Sequence, residues 1–102
     1  MNTFKNNYDT LEHLIFEGGL RIKAIHIHAD MDMMLIVLNN KRVMRRMISG
    51  SPRLAKATAE QLNNYRLIAN GVGIHWPDLD EDMSLKGFLK EELAQSFEPL
   101  KA

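Results

Sequence analysis

One short segment of this sequence, GVGIHWPDLDEDMS at residues 71–84, places a histidine beside several carboxylates. An imidazole next to carboxylates can transfer protons or bind a metal ion. The residues that could form such a site are His75, Asp78, Asp80 and Asp82. A calcium loop is not indicated, because Met83 stands where a loop beginning at Asp78 needs glycine. A small enzyme or metal site at these residues is therefore an alternative and not the leading interpretation.

A second pair of histidines, His26 and His28, lies in an isoleucine-rich segment. Alternate residues of a strand share a face, so both rings would project from the same side. With His75 or an aspartate they could bind zinc. This spacing is also common by chance on half-buried strands, and we expect no metal or other cofactor.

No side chain is set up as a nucleophile. The sequence has no cysteine, and none of its serines lies in a Gly-x-Ser-x-Gly context. Gly71 and Gly73 are too few for a dinucleotide-binding fingerprint. These patterns predict a protein that is not an enzyme.

Charge is segregated along the chain, although the net charge is zero. Residues 41–66 carry seven Lys or Arg and one Glu, whereas residues 78–98 carry seven carboxylates and two lysines. Two interpretations remain open. The segments face each other within a monomer or across a dimer, or one of them meets an outside partner by charge complementarity.

Nucleic acid is the weaker alternative for the basic segment. A helix-turn-helix over residues 51–74 would need a second helix through the glycine-rich residues 70–73, which is a poor helix sequence. The candidate basic patch for a backbone contact is Arg42, Arg45, Arg46 and Arg53.

Length and composition fit one small domain. With 102 residues, 45% of them hydrophobic and 25% charged, the chain can bury a single core. We expect no secretory signal, because residues 1–19 lack a charged region followed by an apolar run. The longest apolar run, Met33–Leu38, is too short to cross a membrane. We expect a cytoplasmic α+β protein with an N-terminal extension at 1–19, a single domain at 20–95 and a tail at 96–102.

Three strand-like segments predict a small antiparallel β-meander. Residues 20–28 are the first. The isoleucines change parity there, so either both faces of this strand are covered or a bulge lies near Lys23-Ala24. Residues 33–38 and 42–48 follow, joined by a turn at residues 39–41, where asparagine tolerates positive φ.

Two to three helices should pack on this meander. A short one is expected at residues 10–17, begun by a capping box of Asp9 and Glu12. Ser51-Pro52 is typical of another helix start, and that helix should continue to residue 63 or 64.

The acidic segment should lead into the last helix, at about residues 84–95. Asp82 or Ser84 would cap it, and the helix dipole stabilises carboxylates near a helix N-terminus. Just before it, Trp76 is expected to anchor the core, with its indole N–H hydrogen-bonded nearby.

Residues 51–89 resemble the bacterial family known as domain of unknown function 2442. The resemblance rests on a P-R-L-x-x-A-T pattern, then G-x-G-I-H-W-P-x-L-D-E-D-[ILM]-S, then G-[LF]-L, and it extends over about residues 20–92. The matching residues are Pro52, Arg53, Leu54, Ala57, Thr58, Gly71, Gly73, Ile74, His75, Trp76, Pro77, Leu79, Asp80, Glu81, Asp82, Ser84, Gly87, Phe88 and Leu89.

This resemblance implies an α+β meander packed on helices, with no established activity. Members are often encoded beside a second small family, and the pair has been suspected to be a toxin–antitoxin system. Some relatives carry a helix-turn-helix domain after this one; the present sequence ends before such a domain, so DNA-binding repression is not expected. The sequence departs from the family pattern at two places. Asn40-Lys41 replaces the usual Asp-Gly at the hairpin turn. Gly50-Ser51 precedes Pro-Arg-Leu where aromatic residues are frequent, so a binding role of those aromatic residues does not carry over.

The leading hypothesis is a binding module that docks a protein partner, as the antitoxin-like member of a pair. Segregated charge supports it, together with an acidic segment richer than a helix cap requires. The candidate partner-binding residues are Arg53, His75, Trp76, Asp78, Asp80 and Glu81. A homodimer is a further expectation, because seven methionines and open strand edges are typical of adaptable interfaces.

Overall fold

Two three-stranded antiparallel sheets and four α-helices make up the fold in a computed structural model, which describes residues 8–96. The predicted α+β class is confirmed. The ends of the predicted extension and tail, residues 1–7 and 97–102, lie outside the described residues. In chain order the elements are α1 (Thr10–Glu12, continued by a π-helical turn, His13–Glu17), β1 (Ile22–His28), β2 (Met33–Leu38), β3 (Val43–Met47), α2 (Pro52–Ala55), α3 (Ala59–Asn63), β4 (Arg66–Ile68), β5 (Gly73–Trp76), β6 (Glu81–Ser84) and α4 (Leu85–Ser96).

The first sheet, ordered β1-β2-β3, is the predicted meander. Its register shifts between Ile22 and Ala24, which confirms the bulge. Because of this bulge, Ile22 and Ile25 both point into the core despite their different parity. The turn after β2 has its positive φ at Lys41, 74°, and not at an asparagine.

Of the second sheet, ordered β4-β5-β6, the sequence predicts only a short strand at residues 66–69, which β4 confirms; β5, β6 and their pairing are not predicted. Residues 81–84 form a strand paired with β5, and not an approach to the helix N-terminus. The prediction that the acidic cluster lies at the helix dipole is therefore wrong. Ser84 caps α4, since its Oγ accepts a hydrogen bond from the Gly87 N–H at 2.9 Å.

The helix predicted from Ser51 to residue 63 or 64 is broken into α2 and α3. Thr58 is extended between them and caps α3: its Oγ1 accepts from the Gln61 N–H at 3.1 Å, and the Gln61 side chain accepts from the Thr58 N–H at 3.0 Å. This capping box competes with a continuous helix. The Ser51 hydroxyl does not cap α2; it donates to Glu81 Oε2 at 2.9 Å.

The N-terminal helix belongs to the same core as the sheets. The predicted capping box is confirmed, because Asp9 and Glu12 bond each other's backbone N–H groups at 2.8 and 3.0 Å. Lys86 of α4 lies 2.8 Å from the Asp9 carboxylate and 3.0 Å from that of Glu12. Ile15 is fully buried, so this helix is packed into the domain.

The core lies between the first sheet, the second sheet and α4, and Trp76 is its largest fully buried side chain. Its Nε1 donates to the Leu62 carbonyl oxygen at 2.9 Å, which confirms the predicted anchor. Where the sheets meet, Gly71 has a φ of 91°, and a Cβ there would lie 2.5 Å from the Ile22 carbonyl oxygen. Only glycine fits this approach. Within residues 8–96, no helix is both long and apolar enough to cross a membrane.

Candidate functional site

His75 and Asp82 come together on the second sheet. They are cross-strand partners on β5 and β6, and His75 Nδ1 lies 2.5 Å from Asp82 Oδ1. Arg66 of β4 faces His75 from the other side. Such a carboxylate fixes the orientation of the imidazole. Across the described part of the chain, no three His, Cys, Asp or Glu side chains are grouped to hold a metal ion.

The turn between β5 and β6 is tied to the two short helices by polar contacts. Asn64 Nδ2 donates to Asp78 Oδ2 at 2.9 Å. Arg53 donates to the Asp80 carbonyl oxygen, and its guanidinium is 3.9 Å from the Asp80 carboxylate. The structure thus brings together Arg53 and Asp80 from the candidate set, and the Asp80 side chain remains 96% exposed.

Two other candidates are used inside the molecule. Glu81 accepts the hydrogen bond of Ser51, whose side chain is buried. Trp76 has no exposed surface and cannot contact a partner. Its prediction as a partner-binding residue is therefore wrong. Most of the HWPDLDED segment therefore builds the fold.

The four arginines of the predicted basic patch do not share one surface. Arg45 and Arg46 are neighbours on β3 and so point to opposite faces. The Arg46 guanidinium pairs with Glu91 and lies 5.6 Å from the centre of the Phe88 ring. Burial lowers the pKa of Arg46, and the nearby charge of Glu81 opposes that shift.

The basic and acidic segments contact each other within the monomer. Arg46 with Glu91 and Arg53 with Asp80 are ion pairs between residues 41–66 and 78–98. Of the two interpretations of the segregated charge, these contacts support an internal role.

The first sheet has an outward side that we call the open face. Alternate residues of its strands form three cross-strand rows there. Val43 and Met47 are 54% and 63% exposed on this face. The sequence patterns did not lead us to predict the open face. Strand β2 nevertheless has apolar residues on both of its sides, which is typical of a sheet with both faces covered. The rows are Ala24–Val37–Val43, His26–Leu35–Arg45 and His28–Met33–Met47.

The fold and these surfaces define a small α+β domain with two antiparallel meanders. The chain belongs to the family DUF2442, described as a protein of unknown function, which it matches over residues 22–94. This match confirms the resemblance found in the motifs. None of the curated proteins matches the chain significantly.

Two solved structures share this fold. A protein of unknown function from Rhodospirillum rubrum superposes with a TM-score of 0.63 and 24% identity, covering 71% of this chain and 87% of its own. An uncharacterised protein from Chromobacterium violaceum gives 0.67 and 22%, covering 100% and 96%. At these identities the likeness shows the fold alone.

Proposed function

We propose that this protein is a binding module that docks a partner protein through the open face. The observation that carries the proposal is the exposure of Val43 and Met47, 54% and 63%. Both lie on a sheet surface with four further apolar side chains, those of Ala24, Met33, Leu35 and Val37. The four further side chains are half-buried, so the face is a contiguous and partly exposed apolar surface, which is typical of an interaction site.

The partner should present apolar side chains together with carboxylates. The ionisable members of the open face are His26, His28 and Arg45, and none of its nine residues is acidic. Acidic groups on the partner would complement this charge, whereas the open face of a second copy would offer it no carboxylate. Met33 and Met47 can adapt their flexible side chains to the partner's shape.

The antitoxin-like role implied by the family resemblance is one biological form of this proposal, with a neighbouring gene product as partner. The HWPDLDED segment supports docking less well, because Asp78, Glu81 and Asp82 already have partners inside the chain. The dispersed arginines likewise do not form the continuous basic surface that follows a nucleic-acid backbone.

The test compares partner recovery by wild-type protein and by the double variant Val43→Lys, Met47→Lys. Ile68→Lys is the matched control, because Ile68 is also exposed, at 40%, but lies in the second sheet. We expect wild type and control to recover the same acidic protein from the native host, and the double variant to lose it. Purified partner should bind more weakly as salt is raised.

Circular dichroism should first show that all variants are folded. Retention of the partner by the folded double variant would contradict the proposal. So would light scattering that shows a stable dimer of wild type which the double variant lacks, because a second copy would then occupy the open face.

A further inference from the structure

A second surface, which shares Val43 with the open face, is a groove between α1, the β2–β3 turn and α4. We call it the leucine groove. Its volume is about 690 Å³, within the usual range of small-molecule sites. None of the described residues that line it is aromatic, so its wall suits an alkyl chain better than a flat ring. Six leucines line it: Leu11, Leu14, Leu20, Leu38, Leu89 and Leu93.

One guanidinium at the rim of the leucine groove forms no ion pair with the residues that the structure describes. Arg42 lines the groove, and within residues 8–96 no carboxylate lies within ion-pair distance of its guanidinium. Arg46 and Arg53, in contrast, are both paired. Beside Arg42, Asn40 uses its Oδ1 to accept the Arg42 backbone N–H at 3.0 Å, which leaves its amide N–H₂ group as a further donor.

Charge differs between the walls of the groove. Arg42 and Asn40 belong to the β2–β3 turn, whereas Glu92 comes from α4. Glu92 forms no ion pair with Arg42, so an anion is attracted to the turn and repelled from the helix. A bound anionic group therefore lies toward Arg42.

We infer that the leucine groove binds a free fatty acid, that is, one alkyl chain with a carboxylate head group. The chain lies along the leucines and replaces water there. The carboxylate accepts hydrogen bonds from the Arg42 guanidinium and the Asn40 amide.

The test is calorimetric titration of the full chain with octanoate, decanoate and dodecanoate below their micelle concentrations. Each added methylene should tighten binding about twofold. This factor corresponds to half the free energy of a fully buried CH₂ group, because the groove is open on one side. Arg42→Gln should weaken binding about fivefold, as expected for loss of an exposed ion pair. Glu92→Gln should tighten it. Arg45→Gln, a change on the open face, is the matched control and should bind as wild type does.

Three results would overturn the inference. Decylamine could bind as tightly as decanoate, Arg42→Gln could bind as wild type does, or heat could appear only above the micelle concentration. NMR methyl shifts provide the location: changes at Leu14 and Leu93 support the groove, and changes confined to Met33 and Met47 contradict it. Failure here leaves partner docking untouched when Met47→Lys alone is tested, because Met47 lies on the open face and does not line the groove. Val43 belongs to both surfaces and cannot separate the two proposals.

Discussion

Trp76 donates its indole N–H to the carbonyl oxygen of Leu62 across 2.9 Å, and this bond joins the middle strand of the second sheet to α3. Both side chains are buried. The carbonyl belongs to the end of a five-residue helix, where no later turn exists to satisfy it. One side chain thus fills the core and completes a short helix.

Trp76→Phe should lower the free energy of unfolding by about 2–4 kcal/mol, because the smaller ring leaves a cavity and the Leu62 carbonyl loses its donor. Tyr65→Phe is the control, since it removes a hydroxyl that donates to the Ile25 carbonyl oxygen at 2.8 Å but keeps the ring. It should cost about 1 kcal/mol. Urea denaturation measures both, and equal losses would argue against a combined packing and bonding role for Trp76.

Gly71→Ala should destabilise the protein by more than about 2 kcal/mol. Its φ of 91° strains any residue with a Cβ, and the added atom would meet the Ile22 carbonyl oxygen at 2.5 Å. Gly50→Ala is the matched control, because nothing lies within 4 Å of the added Cβ there. Thermal unfolding should separate the two variants clearly. A Gly71→Ala protein as stable as wild type would mean that the two sheets do not meet as described.

Stability in acid should depend on Lys86. The hydrogen bond from Lys86 is the main cause that lowers the pKa of Asp9 below 3.8. For Glu12, the main cause is the hydrogen bond from the Asp9 backbone N–H, which lowers the pKa below 4.5. A carboxylate whose pKa is lower in the folded state than in the unfolded chain stabilises the fold fully at pH values above its ordinary pKa. This contribution is lost as the pH falls through the lowered pKa of the folded state.

The melting temperature of Lys86→Met should therefore fall less steeply than that of wild type as the pH drops below 4.5. Hydrogen bonds to Asp9 and Glu12 also raise the pKa of Lys86 above 10.5, so the lysine's contribution is present below that pH and lost above it. Lys56→Met, at another exposed lysine, should follow wild type. Parallel curves for all three proteins would contradict the ion-pair account.

Local sequence signals predicted the first half of the fold well. Isoleucine parity left two alternatives, a bulge near Lys23-Ala24 or a strand covered on both faces, and the register shift between Ile22 and Ala24 confirms the bulge. The Asp9 and Glu12 pattern located α1. The burial and bonding of Trp76 followed from its size and its single polar atom.

Apart from the short strand at residues 66–69, the second sheet and the site contacts could not be predicted in this way. Strand β6 has four residues, too few for alternation to show, and its carboxylates read equally well as a helix start. Thr58 lies inside a helical periodicity that its own capping box interrupts. The His75 and Asp82 contact depends on the register of two strands, which no local pattern sets.

Every strand in both sheets pairs with the strand next to it in the sequence. Little chain entropy is lost in closing such near-neighbour connections, and low contact order is associated with rapid folding. We therefore expect each meander to form on its own, and the docking of the two at Gly71 to limit the folding rate. Stopped-flow refolding should show one fast phase, on the order of milliseconds, and substitutions at this junction should slow it more than substitutions within either sheet.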